Sequence, residues 1–418
     1  MAAKRTRTDH DSMGILEVPL KALYSASTQR AVQNFPISGT AVSWEIILAF
    51  AQLKRAAAEA NHELGKLDAK RCKLIVKACA NIITRLTDID TRCDMMQHFP
   101  VDIFQTGSGT STNVNVNEVI SNMVSVSLNK KLGSFDPVHP NDHVNMGQSS
   151  NDTFPTAVQV AAATHIKKSM VPDVKKLASA LHRKAKQFDS IVKIGRTHLQ
   201  DATPIRLGQE FSGFAAQMDF AVERSEKAIH ALASNLPIGG TAVGTGINTH
   251  PRFAAIVAKR LSRSTGVKFH EADNHFEAQA SRDCIVEAHG NLRTIAISLS
   301  KIASDIRFMG SGPRCGIHEI ELPAIQPGSS IMPGKVNPVL VESSMQVAMK
   351  VSGNDVAIGM GALGGTGSLM DLNVAQPMMS DCLLESIKII GNVSALFADD
   401  CVKGIQANRK AIKKTVEQ

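Results

Sequence analysis

The chain has 418 residues, enough for a large buried core and more than one domain, with 43% hydrophobic and 20% charged residues. Its formal net charge is +8, but the lysines and arginines are spread along the chain, and one tryptophan and one tyrosine cannot build an aromatic platform for stacking bases. Composition therefore disfavours nucleic acid as a partner, and a diffuse positive field suits a small anionic substrate.

The start, "MAAKRTRT", is basic but has no apolar stretch after it, so it is not read as a secretory signal, and no run approaches the ~18 apolar residues of a membrane helix. Seven cysteines, odd in number and without a CxxC pair, are expected to be free thiols in a reducing cytoplasm. The first polar segment, "TGSGTSTNVNVNEV" (106–119), and the second, "HPNDHVNMGQSSNDT" (139–153), carry residues that cap helices. A helix N-terminus also binds anions, so capping and function are compatible there.

From Val158, the residues Ala162, Ile166, Met170, Val174, Leu177 and Leu181 recur at steps of three and four, which predicts a long helix with a kink or break at Pro172. "GRTHLQDATP" (195–204) interrupts the periodicity, and a second helix is expected over 210–234. "GGTAVGTGINTH" (239–250) lacks the Gly-Lys-Ser/Thr ending of a phosphate loop and follows no strand of a βαβ unit. "HEADNH" (270–275) is one residue too long for a zinc-binding HExxH, and "SLSK" (298–301) lies inside a periodic helix, so neither a metal nor a nucleotide cofactor is expected. A single helix is predicted over 277–308, and two more over roughly 338–363 and 371–400. Strand-like alternation is scarce. The expected class is all-α, a bundle of long helices whose length suggests assembly with other subunits.

Before the last two helices stands "GSSIMPGKVNPVLVE" (328–342), whose glycines and prolines resist a regular helix. Read together, the polar segments fit a small substrate with two carboxylates. Hydroxyls, amides and helix N-termini from 108–117 and 149–151 would hold carboxylates, while Lys335 would add charge where negative charge grows. His198 can move a proton near neutral pH. A serine on the glycine-flexible loop would supply a second proton-transfer group, which implies elimination or addition across a carbon–carbon bond.

These segments, with "SGPRCGI" (311–317), resemble the fumarase/aspartase superfamily, and within it the class II fumarases, in the expected order from "DSMG" (11–14) to "GIQANR" (404–409). The resemblance implies an N-terminal helical domain at 1–140, a long-helix bundle at 141–395 that packs into a tetramer core, and only the start of a C-terminal domain at 396–418. It implies a homotetramer whose active sites are each shared by three subunits, with fumarate and L-malate as substrates; the cytoplasmic location and the lack of a nucleic-acid or membrane partner are expected from the composition and hydropathy above. By the same resemblance, Ser329 removes the C3 proton of malate, and Lys335 and Asn337 bind the carboxylate that gains charge. His198, activated by Glu342 of another subunit, handles the proton of the departing hydroxyl. Ser108, Gly109, Thr110, Ser149, Ser150, Asn151, Thr197 and Ser330 position the substrate. His139, Pro140, Asn141 and Asp142 resemble a second dicarboxylate site, although Asp136, Pro137 and Val138 stand where basic residues usually precede it. Met370-Asp371 is a further departure from the family's pattern. Aspartases usually carry glutamine at the position of His198 and threonine at that of Ser150, so hydration is expected over amination. An ammonia-lyase and a silent scaffold of the same fold are the alternatives.

Overall fold

The apolar periodicity of the sequence is borne out as helices throughout a computed structural model that describes residues 6–332 and 334–417. The first five residues of the basic start, Pro333 of the polar loop and Gln418 lie outside the described residues. A hairpin, β1 (Thr6–Asp11) and β2 (Gly14–Pro19), precedes α1 (Ala26–Asn34), α2 (Trp44–Glu63), α3 (Ala69–Thr87), α4 (Ile89–Met96) and α5 (Thr110–Ser127). A π-turn at Pro140–Val144 leads to α6 (Ser150–His165), a second π-turn and α7 (Val171–Gln187). The hairpin β3 (Val192–Thr197) and β4 (Gln200–Arg206) is followed by α8 (Leu207–Ala233), α9 (Phe253–Thr265), α10 (His275–Ala280) and α11 (Asp283–Met309). After β5 (Ile320–Glu321) come α12 (Val339–Ala362), the short hairpin β6 (Ser368–Leu369) and β7 (Leu372–Asn373), α13 (Gln376–Leu396), β8 (Gln406–Ala407) and α14 (Arg409–Val416). No described helix is long and apolar enough to cross a membrane.

The long periodic stretch from Val158 is interrupted close to Pro172, as expected. A π-turn at Ile166–Met170 runs from α6 into α7 with helical backbone at Met170 and Val171, and Pro172, in the first turn of α7, follows this bulge. The helix expected over 277–308 is instead two helices. Arg282 takes a left-handed φ of +61°, is buried, and donates to the Ala278 carbonyl and to Gln159 Oε1 (2.9 Å). A buried guanidinium thus ends α10, while the apolar period continues beyond it and hides the break. The helix expected from about 371 begins at Gln376, because Asn373 donates to the Gly361 carbonyl and accepts from the Ala375 N–H, fixing the small hairpin before it.

The chain divides into two compact units, each assembled from three stretches: Met1–Thr164, Ile229–Glu287 and Ala357–Leu384 in the first, His165–Ala228, Ala288–Val356 and Glu385–Gln418 in the second. In the first unit α2 packs on α3 and α9, burying Ile47, Phe50, Leu53, Ile75, Ile82 and Leu261. This interior is also polar. Glu118 of α5 accepts from the Ser25, Ser27 and Thr28 N–H groups and the Thr28 hydroxyl, so a buried carboxylate caps α1. In the second unit Phe188 and Phe211 pack edge to face at 5.2 Å, and Leu177, Met218 and Leu299 are buried. His289, wholly buried, bridges Asp355 and Ser386 there as a structural histidine.

Candidate active site

In the first unit two helix starts are packed together. Gly109, at the N-cap of α5, has a left-handed φ of +74°, and a Cβ there would run into the ring of Phe154 near the start of α6. Only glycine fits both demands. The hydroxyls of Ser108 and Thr110 share a hydrogen bond of 2.8 Å. At the start of α6, Ser149 Oγ accepts from the Asn151 N–H (3.2 Å) while Asp152 Oδ1 accepts from the Ser149 N–H (2.9 Å), a reciprocal cap. Asp152 Oδ2 also accepts from the N–H groups of Gly239 and Thr241, and Asn151 Nδ2 donates to the Ala242 carbonyl. The glycine-rich segment at 239–246 therefore braces α6. Ser108–Thr110 and Ser149–Asn151 are the hydroxyl- and amide-rich ends of two helices, where main-chain N–H groups favour an anion.

His139–Asp142 lie in the same unit, at the π-turn. The Asp142 N–H donates to His139 Nδ1 (3.3 Å), so the segment is folded on itself. Arg71 of α3 donates to the Pro137 carbonyl (2.9 Å). Burial lowers the pKa of His143, and the Arg71 charge adds to that effect. A basic group thus stands beside "HPND" from another helix, which the local sequence did not signal.

In the second unit, "GRTHLQDATP", expected as a polar segment between helices, forms part of a hairpin. Thr197 pairs with Gln200, leaving His198 and Leu199 at a two-residue tip with φ of +58° and +60°. Such a tip matches strand twist but is uncommon for residues other than glycine, asparagine and aspartate. It holds the exposed His198 outward. Ion pairs centred on the buried Lys193 and Glu319 anchor the base of the hairpin. Lys193 Nζ lies 3.0 Å from Glu210 and 3.1 Å from Glu319, and Arg196 lies 2.8 Å from Glu319. Helix α14 packs on β3 from the C-terminal end.

The loop at 328–337 closes on itself. The Gly328 N–H donates to the Lys335 carbonyl (3.0 Å), and Asn337 Nδ2 donates to the Gly328 carbonyl (3.0 Å). A Cβ on Gly328 would overlap the Lys335 carbonyl. Inside this closure Ser329 Oγ accepts from the N–H groups of Ile331 and Met332, both at 3.2 Å. Two main-chain donors on one hydroxyl oxygen favour its alkoxide. Lys335, Asn337 and Glu342 line a cavity of about 1120 Å³ with Arg307, Arg314 and His318. Ser329 and Ser330, on the same loop, and Thr197 and His198, on the hairpin, do not line it. Leu199 does share an adjoining cavity with Arg307 and Ser311, two residues of the larger cavity's wall.

Of the motifs set aside in the sequence, "HEADNH" places His275 on α10 with Nε2 3.1 Å from the Ile238 carbonyl, and His270 before the helix. All seven cysteines are free. Sequence reasoning missed Lys54, which is fully buried on α2 and donates to Asn145 Oδ1 (2.8 Å) and Gln148 Oε1 (3.0 Å). Burial lowers the Lys54 pKa to about 7, against the opposing charge of Asp152. Burial likewise raises Asp152 to about 6, against its main-chain donors and Lys54. A lysine in "FAQLKRAAAE" carries no signal of burial except the apolar residues three and four positions before it.

Residues 14–353 match a family model described as Lyase. The chain is 49% identical over its full length to the class II fumarate hydratase of Corynebacterium glutamicum, covering 84% of that protein. It is 50% identical to the class II fumarate hydratase of Mycobacterium tuberculosis over 98% of this chain and 83% of that one. Against the mitochondrial fumarate hydratase of Rattus norvegicus it is 48% identical over 99% and 79% of the two chains. Among solved structures, the class II fumarase of Schistosoma mansoni superposes with a TM-score of 0.93 at 37% identity, over 99% of this chain and 87% of that one. The fumarate lyase:delta crystallin of Brucella melitensis in native form gives 0.89 at 39%, over 99% and 91%.

Proposed function

The chain belongs to the lyase family and, within it, to the class II fumarases, and from that premise we propose that it acts as a fumarate hydratase, interconverting fumarate and L-malate by anti addition of water. In the malate-to-fumarate direction, Ser329 takes the C3 proton, and the C2 hydroxyl leaves as water with a proton from His198. Glu342 of a second subunit orients and charges that histidine. Lys335 and Asn337 bind the carboxylate onto which the C3 electron pair delocalises, and they stabilise it more as its charge grows. Ser108, Gly109, Thr110, Ser149, Ser150, Asn151, Thr197 and Ser330 orient the dianion. The chemistry consists of proton transfers and carboxylate recognition, and the proposal calls for no metal or nucleotide.

The observation that carries this reading is the Ser329 oxygen held under two main-chain N–H groups, in a loop whose own closure needs Gly328 and Asn337. Assembly as a homotetramer is part of the proposal. Phe220, Ile297, Met349 and Val356 of the second unit are each more than half exposed, as helices awaiting other copies of the chain would be. So are a cytoplasmic location, the domain division near residues 140 and 395, and dicarboxylate binding at His139–Asp142. The test is absorbance of the fumarate double bond, with purified protein offered L-malate and then L-aspartate. A rise with malate alone is expected. A rise with aspartate would move the assignment to an ammonia-lyase, and no rise with either would overturn the reading.

A further inference from the structure

The first unit holds a buried cation that none of these roles uses. Lys54 occupies the face of α2 that also carries Phe50 and Leu53, and no part of it reaches solvent. Taking an ammonium out of water costs several kcal/mol unless its partners are well placed. Here the partners are two amide oxygens, Asn145 Oδ1 and Gln148 Oε1. With their oxygens engaged, the amide nitrogens face the opposite way. Asn145 Nδ2 donates to the Gln148 carbonyl, and Gln148 Nε2 donates to the carbonyls of Val144 and Met146. Asn145 Oδ1 also accepts from Asn113 Nδ2 (3.2 Å), whose Oδ1 accepts from the Thr153 hydroxyl (3.2 Å).

The two ends of this network are informative. Asn113 lies one turn into α5 from Thr110, and Gln148 directly precedes Ser149. One ammonium is therefore a single amide away from both helix starts that face the substrate in the proposed reaction. Asp152, equally enclosed, continues the network by holding Ser149 on one oxygen and Gly239 and Thr241 on the other.

We propose that Lys54 and Asp152 are positioning residues, which fix the spacing of Ser108–Thr110, Ser149–Asn151 and the 239–242 loop so that their hydroxyls and amides match a dicarboxylate. Neither touches the substrate. The inference rests on the hydratase reading for the identity of that substrate, but not for the network itself. Burial pushes the two groups toward their neutral forms, and each charge stabilises the other. A hydrophobic residue at 54 would fill the same space without orienting either amide.

Lys54→Met and Asp152→Asn, made in the full chain, are compared with the wild type by peptide-level hydrogen exchange and by malate kinetics. We expect faster exchange confined to 108–113 and 144–153 in Lys54→Met, and to 149–153 and 239–242 in Asp152→Asn. Malate KM should rise about tenfold or more while kcat changes less than about threefold. If Lys54→Met does not fold, Asp152→Asn decides alone by the same readings. Wild-type KM with unchanged exchange in either folded variant overturns the proposal, as does equal loss of kcat with KM untouched. A wild type that turns over no malate sinks the hydratase reading alone, and the exchange pattern then decides the network.

Discussion

Ser329 shows how a residue type becomes chemistry through its neighbours. A serine hydroxyl is a poor base in water, and the Ile331 and Met332 N–H groups are what favour its alkoxide. Ser329→Ala should lower malate turnover about a hundredfold or more, and His198→Asn should do the same. Initial rates at saturating malate check this, and near wild-type turnover in either variant would reject the assigned role. Lys335→Ala should raise KM and lower kcat together, because in the proposed reaction its charge serves both the bound substrate and the carbanion-like intermediate. These residues were legible because they sit where glycine and proline interrupt helical periodicity. Lys54 and Arg282 were not. A lone cation inside an apolar period reads as a solvated side chain, and only its partners, 91 and 123 positions away along the chain, reveal the burial.

At the scale of elements, the helices followed from apolar spacing, including the interruption before Pro172, since burial of one face is what makes a helix stable here. The hairpin at His198 did not follow, because its base is held by ion pairs to Glu319, 123 positions from Arg196, as well as to the nearby Glu210. The packing of the two helix starts was also hidden, and it makes a sharp demand on Gly109. Gly109→Ala should cost roughly 2–4 kcal/mol, from left-handed strain plus overpacking against Phe154. A wild-type urea midpoint would contradict that packing. The buried lysine gives a second, pH-dependent test. Held down to about 7 when folded, from its ordinary 10.5, Lys54 binds fewer protons in the native than in the unfolded state between those values. Stability from this group therefore rises with pH across that window, by up to about 1.4 kcal/mol per unit. Asp152, pushed up to about 6, is already ionised there. Between pH 7 and 9 the wild type should gain on Lys54→Met in urea midpoint, and parallel profiles would show that the lysine is not desolvated as described.

For the whole molecule, the sequence carried the helical class and the family, because ordered motifs span nearly the entire chain. How residues from 1–164 join those near 240 and 370 in one unit was not legible, since discontinuous packing leaves no local pattern. With Ser329 proposed to remove the proton and His198 to deliver one, water should be the group added, across opposite faces of fumarate. The most direct test is to incubate fumarate with the enzyme in deuterium oxide and record the proton spectrum of the product. The prediction is L-malate carrying deuterium at only one of the two C3 positions, with the coupling between the C2 and C3 protons that marks anti addition. Malate labelled at both positions alike, labelling that marks syn addition, or no malate at all would contradict it.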